Sequence, residues 1–452
     1  MAEVQHAYRY AGASALDDRS GPHLALVTSA TGALPTSHFF EGRVHQPRLV
    51  ADALTAVHLI VGSRFFTPPN MLAKRIALAD PVVTSGGGVL RFEGFSACCS
   101  AYIRVDLGPE GYAGEVTGKG TTNVDFNAPM RAALARVRDD HGLGLSVGSG
   151  ELTLATSNGS VTERKVALPE RWVRGMLEVQ AFQAGMTPRL EAGSVESLRF
   201  LRALPRASTA RTPLWIARGA AGLITTTRAV EGGVRVTDST RLRVLEPLLP
   251  GVRHLRVYAD PSNQASAWVL DFDGMRVSLV LSAETWRGFS GEGQSLYALM
   301  RLGNAGNHSV LDRVRAQLNW QHLLRVDGLA LSTGLPGERV ADALHALGAS
   351  GLVGYDVAEQ GYFHRVLPFD LSGIEDAHPR LAAARELLEH AAVHLDDGAV
   401  FAATVDSDGG AHRVRAVDAE IRCTCPWFAR HGAERGPCKH VLAARSAWEA
   451  RA

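Results

Sequence analysis

The feature that most constrains this chain is a run of metal-ligand residues near its end. It reads Cys423-Thr424-Cys425, twelve intervening residues, then Cys438-Lys439-His440. Three of the five cysteines in the sequence fall here. A tetrahedral zinc site takes four soft or borderline donors at about 2.0–2.3 Å, and this segment supplies three thiols and an imidazole. Each pair has one intervening residue, so one extended turn can present both donors. The longer gap leaves room to fold back and bring the pairs together. Residues 440–448 read as a short helix, which puts Cys438 and His440 at a helix N-terminus. The partial positive charge there favours a thiolate. His431 offers an alternative fourth donor, but the Cys-x-His spacing favours His440.

At these residues the sequence resembles the SWIM-type zinc finger, C-x-C-x(n)-C-x-H. Pro437 to Ala443 match the second half of that pattern closely. Strand-like residues Val400 to Thr404 and Arg413 to Val417 fit the hairpin that precedes the first pair in that family. The resemblance covers the sequence from about residue 400 onwards. It implies one structural Zn2+ per chain, held by Cys423, Cys425, Cys438 and His440. It also implies a small ββα-type module that folds around zinc and binds DNA or protein partners. Nothing in the family pattern is catalytic, so a closed structural site is expected.

The rest of the chain bounds what such a module can serve. At 452 residues it should hold about two to four domains. A net charge of +1 gives no global field to attract nucleic acid or an anionic membrane. Met1 to Gly21 has no apolar core of a signal peptide. The longest apolar stretch, Leu54 to Val61, is interrupted by His58, so no membrane span is expected. An odd number of cysteines, three of them in a metal-like motif, points to a reducing cytoplasm rather than a disulfide framework.

The pattern along the chain predicts an α+β, multi-domain protein. Residues 1–45 read as irregular, and Pro47 to Val61 as an amphipathic helix. Strands are expected at Val82–Thr84, Val89–Phe92, Ala101–Leu107, Leu143–Val147, Glu151–Ala155 and Val161–Leu168. Helices follow from Asn127, as a cap, and over Ser194–Leu204. These make residues 1–205 a mixed sheet and helix body. Pro205 to Pro213 reads as a linker to a β-rich domain over 206–305, with five strands between Leu214 and Leu281. The octapeptides Leu168–Gly175 and Leu281–Gly288 echo one another, a weak sign of internal duplication.

Residues 306–370 resemble a winged helix-turn-helix in element order: helices at Leu311–Leu324, Gly328–Ser332 and Glu338–Leu347, then a hairpin of Gly351–Tyr355 with Tyr362–Val366. Residues 310–368 carry five arginines against six carboxylates, a net of −1. The third helix offers only Arg339 as a cation, between Glu338 and Asp342. Phosphate neutralisation supplies most non-specific DNA affinity, so protein contact or internal packing is the favoured use. Residues 371–452 hold a helix, Leu381–Val393, and the finger. Residues 421–452 carry a net of +4. Part of this charge, Lys439 and Arg422 beside the ligands, is expected to neutralise three thiolates around a zinc ion.

Four other strings touch on chemistry. Gly144-Leu145-Ser146-Val147-Gly148 matches a nucleophile elbow but runs into a hairpin rather than a helix. Gly114 to Thr121 resembles a phosphate loop with wrong spacing. His390 and His394, four apart on the expected helix, lack a third donor. Cys98-Cys99 lies in an apolar stretch read as strand. The sequence therefore supports a cytoplasmic, zinc-binding adaptor with a protein partner, no catalytic residues and no membrane contact. DNA binding by winged helix and finger together is the alternative. An enzyme site assembled within the N-terminal body is a third reading.

Overall fold

The computed structural model describes residues 15–17, 23–26, 38–63, 81–116, 118–123, 128–140, 143–148, 170–206, 213–283, 285, 288–291, 293, 295–302, 308–367, 378–398, 400–417, 420–433 and 435–451. An eight-stranded antiparallel sheet dominates it. Its order is Thr187–Gly193, His254–Ala259, Ala265–Asp271, Met275–Ser282, Ala101–Leu107, Val89–Phe95, Val82–Gly86 and Gly120–Asn123. Met275–Ser282 pairs with Ala101–Leu107 from Met275↔Leu107 to Leu281↔Ala101. Strands from both sides of residue 206 therefore share one sheet.

The central strands alternate with period two, and both faces are buried. Leu90, Phe92, Ile103 and Val105 form an apolar face. Helix Pro47–Val61 packs there, and a Cβ at Gly94 would overlap Val61. The other face carries Arg91, Glu93, Arg104 and Asp106, all buried. Hairpin Val353–Asp356 with Gly361–His364 covers it, beside helix Glu170–Ala184.

That hairpin lies where a wing is expected from the sequence. The elements of 308–364 run helix His308–Arg315, helix Val326–Thr333, helix Gly337–Ala349, then hairpin. Every residue of the hairpin strands is buried. Arg365 pairs with Glu93, and both are fully buried. Arg104 reaches Asp356 at 2.8 Å and the Tyr355 carbonyl at 2.8 Å. Arg276 joins Asp356 and Glu359. The Phe363 ring lies 4.2 Å from the Arg91 guanidinium and 5.1 Å from that of Arg104. A Cβ at Gly354 would overlap the Phe363 ring, so only glycine admits this approach.

Several expectations need correction. Residues 1–45 are not wholly irregular, since 15–17, 23–26 and 38–44 are strands of a five-stranded sheet with Gly144–Gly148 and Tyr112–Glu115. The helix expected over Leu311–Leu324 ends at Arg315. Trp320 takes φ +58°, its amide donates to His364 Nδ1 at 2.7 Å, and Leu324 bridges to Tyr362. The helix expected to reach Val393 is Pro379–Glu389. Ala391 ends it at φ +51°, with Ala392 N–H bonded to the Leu387 carbonyl and Ala391 N–H to that of Leu388. This is a Schellman closure on alanine rather than glycine. Cys98 and Cys99 lie not in a strand but in the turn joining Val89–Phe95 to Ala101–Leu107. The strands expected at 151–155 and 161–168, the Asn127 cap, and residues 284, 286 and 287 of the second octapeptide lie outside the described residues.

Candidate metal centre

A four-stranded antiparallel sheet presents the first pair: Val393–Leu395, Ala402–Val405, His412–Val417 and Glu420–Cys423. The hairpin and helix expected from the sequence are thus extended by two strands. Val414 pairs with Cys423, which turns the Cys423 side chain inward. Thr424, the residue between the cysteines, is pinned to Arg413. Its amide donates to the Arg413 carbonyl at 3.1 Å, and its hydroxyl accepts from the Arg413 amide at 2.9 Å. Cys425 caps helix Pro426–His431, and its sulfur accepts from the Phe428 amide at 3.4 Å. Proline at the first helical position costs no hydrogen bond.

The second pair arrives through a turn with Gly432 and Gly436 at positive φ. Helix Lys439–Arg451 begins right after Cys438, and the Leu442 amide donates to the Cys438 carbonyl at 3.0 Å. Both pairs thus offer a sulfur at a helix N-terminus, where thiolate is favoured. Helix Pro379–Glu389 braces this turn. Arg380 donates to the carbonyls of Arg435 at 2.7 Å and Pro437 at 3.0 Å, and lies 4.8 Å from the Trp427 ring.

The ligand atoms of Cys423, Cys425, Cys438 and His440 all lie within 4.8 Å of one another. His440 Nδ1 is 3.9 Å from the Cys423 sulfur and 4.0 Å from the Cys438 sulfur. Two sulfurs bonded to one tetrahedral zinc at about 2.3 Å would stand about 3.8 Å apart, so the donor set fits the ion. All four residues are buried, between 2% and 8% exposed, which leaves no open position for a substrate. Burial, then the charges of His412 and Lys439, lower His440 to about 4, so its imidazole is neutral at pH 7. The neighbouring Cys423 thiol and burial push the Cys438 thiol far up. A divalent cation is what lets such crowded thiols ionise together. Of the cations expected beside the site, Arg422 turns outward to Glu420.

The other candidates do not assemble. Ser146 lies within strand Gly144–Gly148, so no nucleophile elbow forms. Gly114 and Gly120 lie in strands rather than a phosphate loop. His390 caps a helix while His394 lies on a strand and meets Asp406 at 3.1 Å, so the two do not share a helix face. His431 packs on Trp427, outside the four-donor cluster. Sequence reasoning missed Arg380, Ser407 and His412 around the centre, since no spacing rule marks them. It also missed what Cys98 touches. Arg241 donates to its sulfur at 3.1 Å, and the Ser100 hydroxyl lies 3.1 Å away. Burial would raise this thiol, but Arg241 and the two serine hydroxyls outweigh it and bring it to about 6.

Comparison with known proteins bears on the finger alone. No curated protein matches the chain. Among solved structures, it is similar to proliferating cellular nuclear antigen from Entamoeba histolytica. That likeness has a TM-score of 0.34 and 9% identity, over 54% of this chain and 98% of that one. Residues 404–448 match the family model of the SWIM zinc finger, and with the clustered donors they identify this segment as a SWIM-type finger fitted to one structural Zn2+.

Proposed function

We propose that Cys423, Cys425, Cys438 and His440 hold the zinc ion, and that this chain is an adaptor whose finger joins the body to a protein partner. The observation that carries the choice of partner is the burial of hairpin Val353–Asp356/Gly361–His364 against the charged sheet face. A wing so engaged cannot lie along a DNA backbone. Helix Gly337–Ala349 exposes Glu338 and Asp342 beside Arg339, which repels phosphate. On the outer face of the finger sheet, Arg413 pairs with Asp396 and Arg422 with Glu420, which lowers the charge available for counterion release. No described helix is long and apolar enough to cross a membrane. The reading places the chain in the cytoplasm, where the donor thiols stay reduced.

A mobility-shift titration tests this directly. Double-stranded DNA at low salt should give no complex with the zinc-loaded chain at micromolar concentration. A complex whose affinity falls steeply with salt would replace the adaptor by the DNA-binding reading.

A further inference from the structure

His440 is the one donor with two candidate nitrogens, and its ring is oriented from outside the ligand motif. Nδ1 faces the sulfurs of Cys423 and Cys438 at 3.9 and 4.0 Å. Nε2 points the other way, 3.3 Å from the Ser407 hydroxyl. Ser407 stands in the loop between strands Ala402–Val405 and His412–Val417. That loop is itself tied down. The Gly410 amide donates to the Ser407 carbonyl at 2.8 Å, and the Asp406 amide donates to the Ala392 carbonyl at 2.9 Å. Against the His440 ring lies His412, with centroids 4.4 Å apart.

We propose that Ser407 is a positioning residue for the zinc centre: it accepts the Nε2 proton of His440, presenting Nδ1 to the metal. The chemistry follows from the imidazole. A neutral ring has one protonated and one lone-pair nitrogen. The nitrogen that carries the proton is set by the hydrogen bond the other side makes. A serine hydroxyl can donate or accept; with Ser407 accepting from Nε2, the lone pair is left on Nδ1, inside the donor cluster. His412 packs beside the ring and hinders its turning. Such outer partners of a metal-bound histidine are worth about 10–100-fold in metal affinity. The hydroxyl is 33 residues from His440, so no short motif contains it.

This inference rests on the zinc assignment, and the test separates the two. Zinc affinity of the full chain would be measured by competition with a chromophoric chelator, for wild type, Ser407→Ala and Ser407→Thr. Histidine tautomers of the zinc-loaded wild type would be read by nitrogen-15 NMR. We expect Ser407→Ala to weaken zinc about 10–100-fold with unchanged circular dichroism. Ser407→Thr, which keeps the hydroxyl, should restore affinity. The NMR spectrum should show His440 protonated at Nε2. Stoichiometric zinc in wild type with unchanged affinity in Ser407→Ala overturns the role of Ser407 alone, as does metal on Nε2. Failure of wild type to bind zinc overturns both it and the ligand assignment. If Ser407→Ala disturbs the fold, the wild-type NMR measurement still decides.

Discussion

The finger and the charged face of the large sheet solve one problem in opposite ways. Each gathers polar groups that are costly to bury. In the finger, the donors come from 18 consecutive residues, 423–440, and cluster to fit a single Zn2+. On the sheet, Arg91, Glu93, Arg104 and Asp106 meet Asp356 and Arg365, more than 250 residues away in sequence. There the balance is side chain against side chain, with three arginines around Phe363. A metal lets a short segment hold a core it could not otherwise build. Ion pairs need a scaffold already folded around them. Stability of the finger should therefore follow zinc, and stability of the body should follow its charges.

The largest expected effect is metal removal. Structural zinc contributes about 10–16 kcal/mol of apparent folding energy in small fingers at pH 7. Chelation should abolish hydrogen-exchange protection over residues 402–451 while strands between Val82 and Ser282 keep theirs. Loss of protection in both would mean the Arg380 brace makes them one cooperative unit. Next comes Asp356→Ala, which takes one buried carboxylate from Arg104 and Arg276 and leaves them Asp106, Asp271 and Glu359. Stranding a buried charge outright costs about 3–5 kcal/mol, so with these partners retained the loss should fall below that. The unfolding free energy from urea titration should drop by that smaller measure with zinc content unchanged; zinc loss in this variant would erase the contrast.

Cys98 gives the pH arm. Its folded value, about 6, lies below the ordinary 9.0 because Arg241 holds the thiolate. Its contribution is fully present above about pH 9 and is lost as pH falls through 6, on the order of 2–4 kcal/mol in all. Wild type should therefore lose stability between pH 9 and 6 relative to Cys98→Ser; parallel profiles would refute the ion pair. The smallest effect belongs to Arg380→Ala. Losing two charged hydrogen bonds to carbonyls should cost about 1.5–3 kcal/mol. It should speed exchange in helix Lys439–Arg451 without releasing zinc.

Legibility in the sequence followed the same divide. The finger could be read because donor type and spacing are local, and strands such as Ala101–Leu107 because their apolar residues alternate. Helix Pro47–Val61 followed from its apolar stripe. The helix end at Glu389 was missed because Ala391 adopts positive φ, and the chain beyond Arg315 because Trp320 does, which neither residue type signals. The partners of Arg91 and Glu93 were invisible because alternating charge on a strand ordinarily marks a solvent face. Here a hairpin from far along the chain covers it. Ser407 was missed for a like reason: no spacing rule links it to His440.

The central claim is that four residues hold one zinc ion. Elemental analysis of the full chain, wild type beside Cys438→Ser, tests it most directly. We predict about one zinc per chain in the first and none in the second. Zinc retained by Cys438→Ser, or absent from wild type purified without chelator, would contradict it.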